Sequence, residues 1–452
     1  MIRRATCAVC ASVFLAAPAV PASGSAAGIG GVTRISDRQE QRSCDYATRH
    51  GSATERRSHA RACDRVDRSS TRSAAAVTSM AYQNPVYDFS FPDPGVFRNG
   101  AGDYYAYSTG GGFPVLHSTD LVHWESVGQA LPDRPSWAVR TGDWHPWAPS
   151  VLRSPGACPG TQSPGCYLLY YVGLSGLHSP ATHCVAVAWS PTPAGPFTDL
   201  GPIQATDGTL DASGRPPGCG DDAGYSNIDP APFLDPDGEA YLYLSTNRRC
   251  DAPTTAPCPL APTISVLSLS RDLTRVAGTR TALFAGIPGS WEQEPGQSPK
   301  VENPWVERRG STYYLFYSGG DYRRAYGMGY ATAPSPTGPF TKAPINPILR
   351  QTADVLSPGG GSVTKGTEGG DWMVYHGRAG SYAAPRTLRI DPLVWRADGS
   401  VMVKGPTTGP QPAARPAPEA AAPASAARAP GPGPPRPALD QIEAALGLDL
   451  LV

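Results

Sequence analysis

Five aromatic-rich runs recur through the middle of this chain: "DYYAYST" from residue 103, "CYLLYYVG" from 166, "EAYLYLST" from 239, "TYYLFYSG" from 312 and "DWMVYHGR" from 371. Residues of this type favour a pleated, half-buried strand. Four of the runs are followed by another strand-like stretch ("FPVLHSTDLVHWESVG", "HCVAVAWSPTPAGPFTDLG", "ISVLSLSRDLTRV", "YGMGYATAPSPTGPFTKA"), and the fifth by "RTLRIDPLVWRADGSVMV". Each unit thus supplies about four short strands, one propeller blade, and five units predict an all-β chain folded as a five-bladed β-propeller. Composition agrees, because 50 glycines and 50 prolines among 452 residues suit turns and strand ends and break helices.

The propeller is expected to span residues 82–404. Residues 1–22, with a basic start, a short apolar run and small residues near Ala19 and Ala22, read as a secretory signal peptide. The arginine-rich stretch 23–81 has too few large apolar side chains to bury a core and reads as a disordered leader. A Pro/Ala-rich linker is expected over 405–437. Residues 438–452 carry Leu439, Ile442 and Leu446 at helical spacing, the pattern of a short C-terminal helix. Eight cysteines follow the signal segment, at 44, 63, 158, 166, 184, 219, 250 and 258, an even number suited to an oxidising, extracellular setting. Short spacing favours Cys158–Cys166 and Cys250–Cys258 as loop staples, with Cys184–Cys219 a further pairing. Lysines and arginines number 38, as do acids, so the balance calls for neither nucleic acid nor a membrane surface. The chain is expected to act as a monomer.

What precedes each aromatic strand carries the chemistry. These segments are "FPDPGVFR", "HPWAPSVLR", "NIDPAPFLD", "VENPWVER" and "SPGGGSVTK", and in a propeller the first strand of each blade lines the central channel. Three of them hold an acid, Asp93, Asp229 and Glu302, and the repeat puts these at equivalent positions around one channel. Unpartnered carboxylates are costly there unless they serve chemistry. An ionised carboxyl can activate water while a second, with raised pKa, protonates a leaving oxygen, which is the division of labour in glycoside hydrolysis.

On "FPDPGVF", "WAPSV", "IDPAPFLD", "VENPWV", "PTGPF" and "VYHGR", in this order and spacing over roughly residues 84–404, the chain resembles glycoside hydrolase family 43. The resemblance implies an inverting hydrolase with Asp93 as general base, Glu302 as general acid and Asp229 as the modulator of the acid's pKa. It implies pentose-containing substrates: arabinan, arabinoxylan or xylan fragments, cleaved as by an arabinanase or α-L-arabinofuranosidase. A β-xylosidase or a non-catalytic sugar-binding propeller are the alternatives. No cofactor is required; by resemblance to the family's arabinanases, His376 in "VYHGR" would help hold a calcium ion in the channel through water. Arg386 matches an arginine that contacts substrate in the family's xylosidases. Trp147 in "HPWAPSV" has two readings, a platform for a sugar face or a core aromatic. Asp235, Asp237 and Gly238 read as a hairpin turn, and Glu292 and Glu294 as loop residues near the channel mouth. Where arabinan-active members often carry a histidine before the last blade, this chain has "SPGGGSV" from Ser357.

Overall fold

The computed structural model describes residues 81–412, except 162–163, 179–180, 212–213, 221–224 and 249–261. The expected signal peptide, leader, C-terminal helix and Cys250–Cys258 staple lie outside the described residues. All regular structure within them is β-strand, in five sheets. Blade one is Gly95–Arg98, Tyr104–Tyr107, Pro114–Ser118 and Glu125–Gln129. Blade two is Trp147–Ala157, Pro164–Leu174, His183–Ser190 and Thr198–Pro202. Blade three runs Tyr225–Leu234, Ala240–Arg248, Thr263–Leu269 and Arg275–Ala285, with Gln204–Ala205 added outside in parallel. Blade four is Val301–Arg309, Thr312–Gly320 and Tyr326–Ala333, edged by Thr341–Lys342 and Leu349–Arg350.

Blade five closes the ring. Its inner three strands, Val355–Lys365, Asp371–Ala379 and Thr387–Trp395, come from the end of the chain, but Tyr87–Ser90 from the start pairs alongside Val401–Val403 on the outermost edge. A buried carboxyl ties this seam together. Asp391 accepts hydrogen bonds from Tyr82 Oη (3.0 Å), Tyr375 Oη (2.6 Å) and Thr407 Oγ1 (2.7 Å), and from the Thr407 N–H (3.2 Å). Residues 405–411, expected to open the linker, therefore belong to the propeller: Gln411 also exchanges backbone hydrogen bonds with Tyr82, and a side chain at Gly405 would strike Asp391 at 2.1 Å.

The apolar residues form five clusters, one between each pair of adjacent blades, including one that joins blades five and one. No blade buries both faces alone, so closure of the ring is what completes the core. Cys158–Cys166 and Cys184–Cys219 are both bonded.

The inner strands share a kink. Asp93, Ala148, Asp229 and Asn303, each followed by proline, have left-handed φ of 52°, 41°, 55° and 51°, and Gly360 takes the same place in blade five at 58°. Pairing with the next strand slips by a bulge across the kink in blades two to five. This revises the expected register. Asp93 and Asp229 are equivalent, but their counterpart in blade four is Asn303; Glu302 sits one residue earlier, at the level of Trp147. Asp and Asn tolerate this conformation better than other residues with a side chain.

Candidate active site

The kinks converge on the propeller axis, where Asp93, Asp229, Ala148, Asn303 and Gly360 line a single pocket. Three elements hold Asp93. Arg386 Nη1 donates to Oδ1 at 3.0 Å and Oδ2 at 3.3 Å. Thr109 Oγ1 lies 2.7 Å from Oδ2 and also accepts the Ala148 N–H at 2.8 Å. The Thr109 hydroxyl proton is thereby directed onto Asp93. Finally, the Asp93 N–H donates to His376 Nδ1 at 3.1 Å. Burial pushes the Asp93 carboxyl up, but the Arg386 charge and the hydrogen bonds from Thr109 and Arg386 outweigh it and hold the group below the ordinary aspartate value. It is ionised at neutral pH.

Asp229 goes the other way. Burial, then the charges of Glu302 and Asp93, push its carboxyl well above the ordinary value, against a 3.0 Å hydrogen bond from the Asn303 N–H. Glu302 does not line the axial pocket; Tyr326 Oη donates to its Oε1 at 2.7 Å. Asp229 and Glu302 repel each other when both are charged, so the two carboxyls titrate as a pair and not independently.

His376 is fully buried and stacks on Tyr326, centroids 5.9 Å apart. Burial, then the Arg386 charge, lower its pKa to about 3, so the ring is neutral. A neutral imidazole has one N–H. Because Nδ1 accepts from Asp93, the proton is on Nε2, which is buried with no hydrogen-bond partner. Direct ligation of a metal through Nε2 needs a lone pair there and does not fit. Among the described residues no three His, Cys, Asp or Glu side chains gather in a metal-holding group.

The glycine run makes room for this arrangement. A Cβ at Gly359 would meet the Tyr326 ring at 2.2 Å, and one at Gly360 would lie 2.6 Å from His376 Cε1 and 2.8 Å from Asp93 Oδ1. The structure brings Asp93, Arg386 and His376 into direct contact. Trp147 stands apart from the pocket wall. Its indole lies over the imidazoles of His145 and His183, at 4.3 and 4.6 Å, whose Nδ1 and Nε2 are 2.8 Å apart.

Glu292 lies in a loop, between Ala285 and Val301, as expected, but it does not face a mouth. It is buried, takes Lys342 Nζ on both oxygens (2.7 and 2.6 Å) and Tyr317 Oη at 2.7 Å, and anchors the connection between blades three and four. The turn at Asp235–Gly238 forms as expected, but Asp235 is buried and binds Arg308 and Tyr313. Thr109, Tyr326 and Asn303 escaped the sequence reading. Asn303 was visible as the residue before proline in the repeated motif; Thr109 and Tyr326 have no comparable signal.

Oppositely tuned carboxyls on one propeller axis can divide base and acid work as glycoside hydrolysis requires. The sequence model of glycosyl hydrolases family 43 matches residues 82–401, and the chain belongs to that family. It is similar to the beta-D-galactofuranosidase xynD of Aspergillus niger, 26% identical over 342 residues covering 73% of this chain and 86% of that one. It is likewise similar to the extracellular exo-alpha-(1->5)-L-arabinofuranosidase ArbA of Cellvibrio japonicus, 26% identical, covering 68% and 84%. A solved structure of a thermostable family-43 glycoside hydrolase aligns with a TM-score of 0.59 at 30% identity, covering 74% of this chain and 99% of that one. The protein is therefore a glycosidase of a family in which inversion is typical and catalysis needs no cofactor.

Proposed function

We propose that the protein is a secreted glycosidase that cleaves α-L-arabinofuranosyl linkages in arabinan, arabinoxylan or related saccharides by single displacement. The observation that carries the mechanism is the opposite tuning of Asp93 and Asp229 on one axis. Asp93 takes a proton from water as that water attacks the anomeric carbon. Glu302, sharing the proton of the Asp229–Glu302 pair, protonates the departing oxygen, and Asp229 keeps that proton available. Such a pair works across about 6.5–9.5 Å, which leaves space for the water. Arg386 holds the base ionised from the substrate side.

Support for an arabinofuranosyl substrate comes from ArbA, named for the exo-alpha-(1->5)-L-arabinofuranosidase activity. The galactofuranosidase relative also acts on a five-membered sugar ring, which favours a furanosyl group at the axis over xylopyranosyl. Two disulfides among the described residues support secretion. We assign His376 to the base's backbone; a channel calcium would be met only through a water that accepts the Nε2–H. The test is a product profile on linear arabinan, arabinoxylan, xylo-oligosaccharides and a β-D-galactofuranoside. Release of arabinose or arabino-oligosaccharides is expected. Release of xylose or galactose alone overturns the substrate assignment, and binding without hydrolysis overturns catalysis.

A further inference from the structure

On the same strand as His376 lies a second arginine that no carboxylate among the described residues compensates. His376 and Arg378 alternate on one face of the strand Asp371–Ala379. The hairpin register, His376↔Leu388 and Gly377↔Thr387, makes Arg378 and Arg386 the next facing pair. Like charges set opposite each other in a sheet are destabilising. Arg386 is answered: it binds Asp93 and lies over the Tyr322 ring, its Cζ 4.9 Å from the centroid. Arg378 is not. Its Nη1 donates to the Ala384 carbonyl, its Nε is buried without a partner, and among the described residues no acid pairs with it. The groups that act electrostatically on it are Arg386, which disfavours its charge, and the Tyr322 hydroxyl; no acid does so. Tyr322 itself is exposed.

An uncompensated, half-buried guanidinium across the hairpin from Arg386, the partner of Asp93, is expensive to fold around, and an anionic ligand would offset the cost. A guanidinium prefers a carboxylate or phosphate. In a saccharide the carboxylate is that of a uronic acid. We propose that Arg378 is a specificity-determining residue that binds the carboxylate of a uronic acid unit near the sugar being cleaved, so that the preferred substrates are acidic, uronic-acid-bearing arabinofuranosyl saccharides. The proposal rests on the arabinofuranosidase reading and narrows it.

The experiment compares kcat/KM for an arabinofuranosyl-substituted xylo-oligosaccharide with that for the same oligosaccharide carrying a glucuronic acid branch, in wild type and Arg378→Gln. A charge-assisted contact predicts a preference of about 10-fold or more for the acidic substrate in wild type, lost in Arg378→Gln. Independently of any variant, the wild-type preference should shrink as salt rises from low to molar ionic strength. Hydrolysis of both oligosaccharides with no preference, or a preference that survives in Arg378→Gln or is insensitive to salt, overturns the inference alone. Hydrolysis of neither while linear arabinan is cleaved overturns the inference alone; hydrolysis of neither with linear arabinan also intact overturns the arabinofuranosyl reading together with it.

Discussion

Two aspartates, Asp391 buried and Asp93 half-buried, sit in blades that touch, and their surroundings separate structure from chemistry. Asp391, at the seam where the first and last segments of the propeller meet, is ringed by neutral donors from Tyr82, Tyr375 and Thr407. Burial raises its pKa, and no arginine donates to it among the described residues. Asp93, at the axis, is held by a guanidinium and one directed hydroxyl, and it faces a pocket. A buried carboxyl saturated with neutral donors has no capacity left to act on water. One kept ionised by a cation at the wall of a channel does.

The contrast is broken most sharply by exchanging the two losses. Asp93→Ala is expected to lower turnover by about 10²–10⁴-fold while denaturant unfolding stays close to wild type. Asp391→Ala should destabilise the fold by about 3 kcal/mol, because several buried donors lose their acceptor, with activity per folded molecule retained. Inactivity of Asp391→Ala at full folding, or near-normal turnover in Asp93→Ala, would erase the distinction.

A smaller effect sharpens it. Removing the hydroxyl in Thr109→Val takes a charge-assisted hydrogen bond from Asp93, so kcat/KM should fall about 10-fold and the acidic limb of its pH profile should move to higher pH. Thr109→Ser should restore both. A loss of activity with no shift of the acidic limb would make Thr109 merely structural.

The smallest effects are in stability against pH, and their signs differ. Asp391 has a folded pKa above its unfolded value, so its contribution is fully present below the unfolded value and is lost as pH rises through the folded one. Asp93 has a depressed pKa, so its contribution is present above the unfolded value and lost as pH falls. Urea titrations across that acidic range should show wild type losing stability relative to Asp391→Asn as pH rises, and gaining it relative to Asp93→Asn. Slopes of the same sign would contradict the two environments described.

The blades were legible because each aromatic strand announces itself and recurs at a nearly fixed interval. The register at the axis was harder to see. Three acids near three prolines suggested three equivalent positions, yet the residue before proline reads Asp93, Ala148, Asp229 and Asn303, and the left-handed kink falls on those four and on Gly360. Glu302 stands one residue before the kink, beside Asn303. The contacts that tune Asp93 were only partly readable: Arg386 and His376 were marked by their motifs, but the Thr109 bridge depends on how blades one and two meet. Glu292 sits in the expected loop, but its burial was not readable because its partners Lys342 and Tyr317 lie far along the chain. Asp391 gave no signal in sequence, since the seam that buries it is assembled from both ends.

In the proposed mechanism, water activated by Asp93 attacks while the Asp229–Glu302 pair supplies a proton on the other side of the sugar. Proton NMR of the first-formed sugar during hydrolysis of an aryl α-L-arabinofuranoside reads this directly. Single displacement predicts the β-anomer appearing first, followed by slow mutarotation. Initial release of the α-anomer would require a covalent intermediate and contradict the assignment of Asp93 as general base.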